Sequence, residues 1–453
     1  MKDDELGSGK LVPLMIKMAI PSIIAQTINV LYSIIDRIYI GHISGVGSSA
    51  LTGVGLTLPI ITLISAFSAF VGAGGAPLAA IFLGKGDKKR AEEILGNGVT
   101  MLLVFTVILM AVFYLWQEPF LYAFGASDVT IVYAKKYLSC YLLGTVMVEL
   151  ALGLNPFIIC QGRARLGMAT VLIGAILNLI LDPVFIFVFD LGVVGAAIAT
   201  IISQTVSAAW MLSFLCGKNT AIRIRTKLLK PDLKTMGRIC SLGISPFIMR
   251  STESLISIVM NRGLQLYGGD LYVGSLTIIQ SIYQFICAPL GGFTQGVQPV
   301  ISYNFGAGKF DRVKKASQIM IAVTFFYGMI TSGVVMLFPQ TFAGAFSSDP
   351  EMISLVTKSI RIFMIGMLIF GLQQGVQPSF LALGQAKVSL FIAMLRKVIL
   401  LVPLALILPH FMGVWGVFVA EPVSDIISAL TAGVLYLIMM PKILTKEAVD
   451  KIQ

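Results

Sequence analysis

The stretch PLAAIFLGKGDKKR, residues 77–90, returns 222 positions later as PVISYNFGAGKFDR, residues 299–312. Pro77, Gly84, Gly86 and Arg90 are matched by Pro299, Gly306, Gly308 and Arg312. Working outward, the same shift pairs Gly144, Gly153, Pro156, Gly162 and Ala164 with Gly366, Gly375, Pro378, Gly384 and Ala386. Pro21 and Arg37 recur after 225 residues as Pro246 and Arg262. Gly192, Gly195, Ser203 and Ser207 recur after 221 as Gly413, Gly416, Ser424 and Ser428. Two halves with their turn residues in register share one fold.

The medium of that fold follows from composition. At 57% hydrophobic and 12% charged, the chain departs from the roughly 45–50% apolar and about 25% charged content of soluble domains. Apolar runs long enough to cross a hydrocarbon core of about 30 Å as helices centre near residues 28, 68, 105, 147, 178, 204, 254, 287, 327, 369, 398 and 426. This is an all-α membrane protein of about twelve transmembrane helices, with no stretch left for a soluble catalytic domain. Six crossings per repeat is an even number, so the halves enter the bilayer in the same orientation. They are parallel repeats related by an axis along the membrane normal. The expected units are an N-terminal six-helix lobe at 1–217, a basic linker at 218–238 and a C-terminal six-helix lobe at 239–453.

The formal charge of +11 does not point to nucleic acid, because the basic residues occupy alternate loops. Lys85, Lys88, Lys89 and Arg90 follow the second span, Arg163 and Arg165 the fourth, and Lys309, Arg312, Lys314 and Lys315 the eighth. The linker adds Lys218, Arg223, Arg225, Lys227, Lys230, Lys234 and Arg238. The positive-inside rule then places both termini and the linker in the cytoplasm, as in a multi-pass protein of the cell membrane. The glycine-rich loops 84–90 and 306–312 fail as phosphate-binding motifs, because Lys85 and Lys309 are not followed by Ser or Thr; they read as tight turns. Five cysteines without paired spacing give no disulfide framework or metal site. The opening MKDDELGSGK lacks the layout of a signal peptide.

Polar residues inside the spans carry the chemistry. In the first span Gln26, Asn29, Ser33 and Asp36 step by three or four and share a face, with Tyr32 beside them. Asn178 and Asp182 stack one turn apart in the fifth span, and Thr200, Ser203, Gln204 and Ser207 line the sixth. A charge at the bilayer centre costs about 2.5–3.5 kcal/mol on insertion scales, so these side chains are expected to meet inside the first lobe. Pro183 removes an N–H and frees the carbonyl of Leu179. The set fits two functions: oxygen ligands for a small cation, or a proton site formed by carboxyls that desolvation and like charge keep from ionising together. The second half does not repeat the acids, since Asp36 corresponds to Asn261 and Asp182 to Leu404 or Pro403. One acidic half on a duplicated scaffold is expected of an ion-coupled transporter. Glu149 in the fourth span, Glu253 in the seventh, Gln280 in the eighth and Glu421 in the twelfth are further polar candidates for a cavity or for packing between lobes.

Pro21 and Asp36 in IIDRIYIG, the run GAGGAPLAAIFLGKGD, NLILDPVFIF followed by LGVVGAAIAT, and VQPVISYNFGAGK together resemble the multidrug and toxic compound extrusion (MATE) family, nearest its MepA-like branch, over essentially the whole chain. The resemblance implies two six-helix lobes forming a V that opens alternately to either side. It implies export of varied, often cationic, small molecules in exchange for H⁺ or Na⁺; a monomer among membrane lipids, with no cofactor, is expected. On the matching positions it implies a cation site at Asp36, Asn178, Asp182 and Thr200. The NorM-like branch adds a Glu in the seventh span and an Asp in the tenth. Here Glu253 lies near the first position, whereas the tenth span offers Gln373, Gln374 and Gln377, so coupling is expected through the first lobe. A lipid-linked oligosaccharide flippase, the rival transporter, would need cavity cations, for which Arg250, Arg396 and Lys397 are the candidates. An intramembrane transferase would need an Asp-rich motif or a buried His, against which stand only the terminal Asp3 and Asp4 and the peripheral His42 and His410.

Overall fold

A computed structural model describes residues 5–43, 47–124, 126–218, 220–346 and 349–450; Asp3 and Asp4 lie outside them. Twelve long helices follow in order. The first six are α1 (Leu11–Gly41), α2 (Gly47–Gly84), α3 (Lys88–Leu115), α4 (Thr130–Ile159), α5 (Ala164–Pro183) and α6 (Gly192–Cys216). The second six are α7 (Leu233–Gly268), α8 (Asp270–Gly306), α9 (Phe310–Leu337), α10 (Pro350–Ala382), α11 (Ala386–Met412) and α12 (Val414–Ile443). Among the described residues, eleven are long and apolar enough to cross a membrane. The remaining one, α7, has the length at 36 residues, but Arg250, Glu253 and Arg262 along it dilute its apolar character.

The duplication reappears in the backbone. Gly86 and Gly308, Gly162 and Gly384, and Gly192 and Gly413 all take positive φ, between 54° and 80°, at paired turns where an L side chain would be strained. Both repeats also widen into a π-helical turn on the helix that follows their second paired loop, at Val184–Val188 after α5 and at Leu395–Leu401 within α11. Pro183 therefore does not break its helix; the chain continues through the wider turn, a form common at functional sites.

The lobes meet at the end that carries the basic loops. A Cβ at Gly84 would overlap the carbonyl of Tyr303, and one at Gly306 the carbonyl of Ile81. Gly243 presses in the same way on Phe70, Gly292 on Ser22 and Ile23, and Gly296 on Met18. The ring of Phe247 packs on Phe67 and Phe70, and Gln26 Nε2 donates to Gln295 Oε1 at 2.8 Å. All of these lie in the helix halves nearest the basic loops. Gly306→Val is therefore expected to pry this end apart: spin labels placed across it should move further apart than in the unsubstituted protein, and an unchanged distance distribution would contradict the close approach.

The loops that look phosphate-like spend their cations on the chain itself. Lys309 Nζ donates to the Gly7 carbonyl at 3.0 Å and Arg312 Nη2 to the Gly9 carbonyl at 2.9 Å. Asn304 Nδ2 donates to the Leu6 carbonyl at 2.9 Å. In the other repeat Lys85 Nζ donates to the Val449 carbonyl at 2.7 Å, in the short helix Lys446–Asp450. Each terminal segment is thus held by the loop of the opposite lobe.

The linker ends at Asp232, which caps α7. The Thr235 hydroxyl and then its backbone N–H donate to this carboxylate and hold it below the usual carboxylate range. A depressed folded value means the cap contributes at neutral pH and is lost as pH falls through that value. The extra hydrogen-exchange protection at Thr235 over an Asp232→Ala variant should therefore be present near pH 7 and vanish below about pH 3. Equal protection in both proteins at neutral pH would remove the cap from the account.

Candidate functional site: an intramembrane carboxyl pocket

Spacing along α5 fixes the first part of the site. Asn178 and Asp182 are one turn apart, and Asn178 Nδ2 donates to Asp182 Oδ1 at 3.0 Å. Packing of α5 on α6 brings Thr200 alongside, with its Oγ1 3.4 Å from the same Nδ2. From α1, Asp36 comes near enough for its charge to act on Asp182, and Tyr32 lies within reach of both carboxyls. Asp182 is 1% exposed. Asp36 Oδ1 and Asp182 Oδ2 are buried with no hydrogen-bond partner. Asn178, Asp182 and Thr200 thus lie side by side, with Asp36 near enough for its charge to reach Asp182.

Chemically, this is a small cradle of oxygens carrying two carboxyls. Among the described residues no three His, Cys, Asp or Glu gather as a metal cluster, so the donor set suits a proton or a small hard cation rather than a transition metal. Of the other candidates, Ser203 is buried one turn along α6 with its hydroxyl unpartnered, and Gln204 is half-buried beside it. Asn29 and Ser33 are half-buried on α1, and Gln280 is half-buried on α8. Gln26 is diverted to Gln295 across the lobe junction. Glu149 is a separate feature of α4: it is fully buried, and neither carboxyl oxygen has a partner.

The second lobe corrects one expectation. It is not free of buried acids; it neutralises them. Arg396 Nε donates to Asp425 Oδ1 at 2.6 Å, and its Nη2 donates to Glu421 Oε1 at 2.9 Å and to the Tyr283 hydroxyl at 3.3 Å. Its guanidinium lies 4.1 Å from the centre of the Phe370 ring. Lys397 Nζ donates to Glu253 Oε1 at 2.9 Å, although 56% of the Glu253 side chain is exposed. Asp425 escaped the sequence reading, yet it stands four residues after Glu421 on the face of Ser424 and Ser428. The contrast between lobes is one of pairing: no cation forms an ion pair with Asp36, Asp182 or Glu149 among the described residues, while Glu253, Glu421 and Asp425 are all paired.

Two bundles of membrane-length helices, built on one repeat and meeting at one end, with unpaired carboxyls inside one bundle, define a two-lobe helical membrane transporter. The family model described as MatE matches residues 21–184 and 247–407, and the chain belongs to this family of transporters. It is 26% identical over 430 residues to the multidrug export protein MepA of Staphylococcus haemolyticus (strain JCSC1435), covering 93% of this chain and 94% of that protein. Its fold is that of a solved structure described as the outward-facing conformation of a multidrug resistance MATE family transporter of the MOP superfamily, with a TM-score of 0.90 at 21% identity, covering 98% of each chain. A structure of MATE in the bent conformation superposes with a TM-score of 0.91 at 22% identity over 99% of each chain.

Proposed function

We propose that this protein is a secondary active multidrug exporter of the cell membrane that exchanges varied, often cationic, small molecules for H⁺ or Na⁺ by alternating access. The observation that carries the reading is the unpaired state of Asp36 and Asp182. Two carboxyls brought together without a cation form a site that a coupling ion can fill, with Asn178 and Thr200 completing it. Filling it changes the packing of α1, α5 and α6, and so lowers affinity for drug in the cavity. Because coupling between two ligands is reciprocal, drug in turn expels the ion.

Lobe packing at the basic end supports a conformation open on the opposite side. With the positive-inside orientation, the basic loops and termini face the cytoplasm and the cavity faces outward. The chain works as a monomer among lipids, without a cofactor. A flippase would need cavity cations to hold a lipid phosphate. Arg396 and Lys397 are instead engaged by carboxylates, which weighs against that reading. His42 and His410 are exposed and bonded to their own helices, which weighs against an intramembrane transferase.

Exchange of one monovalent ion for one monovalent drug moves no net charge. It therefore gains nothing from a membrane potential that otherwise supplies about 2.3 kcal/mol per charge at 100 mV. The test is ethidium efflux from energised cells or inverted vesicles, with the Na⁺ and pH gradients imposed separately. Efflux that follows one gradient is the expected result; efflux indifferent to both would overturn the exchange reading.

A further inference from the structure

Glu149 sits outside the Asp36–Asp182 cradle and takes no part in the exchange described above. It is 0% exposed in the middle of α4, and both its carboxyl oxygens lack a partner. The surroundings explain why. Thr145, one turn earlier, spends its hydroxyl on the Tyr141 carbonyl at 3.1 Å. Ser68 on α2 faces the carboxyl, but its buried hydroxyl completes no hydrogen bond either. The titratable groups whose charge reaches this position are Tyr141 on the same helix and Arg250 on α7 of the opposite lobe. Arg250 stands beyond ion-pair distance, between Glu149 and Glu253 in its electrostatic reach.

An ionised carboxylate left this way, with neither donor nor cation, costs several kcal/mol. A metal ion would demand several more oxygens than one carboxyl and one hydroxyl. A proton satisfies both groups at once, because the acid O–H can donate to Ser68 Oγ. We propose that Glu149 is a second proton site of the first lobe, separate from the Asp36–Asp182 pair, whose proton is displaced by Arg250 when the lobes reorient. In that step the Glu149 O–H bond breaks and the proton passes to water in the cavity. The carboxylate left behind pairs with the guanidinium, so charge is conserved without any further reactant. The discharge step rests on the exchange reading, whereas occupancy of the site by a proton does not.

Two measurements separate these. The purified full chain is treated with dicyclohexylcarbodiimide, which modifies protonated carboxyls in apolar surroundings, between about pH 5 and 9, and the adducts are mapped by peptide mass spectrometry. Modification of Glu149 that is indifferent to Na⁺ is expected. Absence of a Glu149 adduct while Asp182 reacts, or protection of Glu149 by Na⁺, overturns the proton site. In proteoliposomes, H⁺ counterflow per ethidium moved is then compared for the unsubstituted protein, Glu149→Gln and Arg250→Gln. Both variants are expected to carry one proton fewer per ethidium, and an unchanged ratio in both overturns the discharge step. Should Glu149→Gln fail to insert, Arg250→Gln decides the discharge step, and Glu149→Asp, which keeps the acid, is expected to retain the ratio of the unsubstituted protein. A labelled Glu149 in a protein that moves neither H⁺ nor Na⁺ against ethidium would remove the exchange reading and leave the proton site standing, whereas Na⁺ counterflow without H⁺ would overturn the discharge step alone.

Discussion

Asp182→Asn is expected to lower ion-driven efflux by about ten- to a hundredfold, because a hydrogen bond to a charged group carries roughly 1.5–3 kcal/mol, while insertion and abundance stay normal. Asparagine keeps the volume of the side chain and can still meet Asn178, whose Nδ2 lies 3.0 Å from Asp182 Oδ1. What it removes is the negative charge that a coupling ion must neutralise. The fold does not depend on that charge, since no cation pairs with Asp182 among the described residues, and the variant should be at least as stable as its parent. Thr200→Val removes a ligand at the edge of the cradle, 3.4 Å from Asn178, and should cost less. Ethidium efflux under an imposed gradient, normalised to protein in the membrane, is the measurement. A correctly inserted Asp182→Asn protein with full gradient-driven efflux would sink the assignment of the pocket.

The first lobe could be read from the chain because its chemistry is local. Asn178 and Asp182 are neighbours by helical spacing, and only the approach of Asp36 and Thr200 had to be supplied by packing. Paired glycines announced the repeat for the same reason: Gly86 with Gly308, and Gly192 with Gly413, mark backbone conformations that few other residues tolerate. The second lobe was less legible. Arg396 finds Glu421 and Asp425 at 25 and 29 residues' separation, a distance at which spacing says nothing about contact. The π turn at Leu395–Leu401 also shifts the phase of α11, so that simple helical periodicity misplaces the faces of Arg396 and Lys397. Aligning the repeats likewise sets Asp182 against Leu404 or Pro403 and gives no sign that Asp425 joins Glu421 at Arg396. Glu149 could be located but not interpreted, because a lone acid in an apolar span looks the same whether or not a donor waits on the next helix.

Arg396→Leu should be the most destabilising single change in the second lobe, at about 3–5 kcal/mol, the cost of removing one partner from a buried ionic set. Arg396 holds Asp425 at 2.6 Å and Glu421 at 2.9 Å while it lies over Phe370 at 4.1 Å. Deleting it leaves the buried carboxyls of Glu421 and Asp425 without their ion-pair partner. Leucine restores some packing but none of the charge balance. Adding Asp425→Asn to Arg396→Leu is therefore expected to recover part of the loss, because it takes away one of the stranded charges; a cycle of the two single variants and the double variant isolates that coupling. Unfolding in mixed micelles gives the free energies. A loss below about 1 kcal/mol for Arg396→Leu, the range of exposed ion pairs, would mean that water reaches the cluster. On the exchange proposed above, the same balance would leave the driving ion to the unpaired carboxyls of the first lobe, since the acids of the second are already neutralised by Arg396 and Lys397.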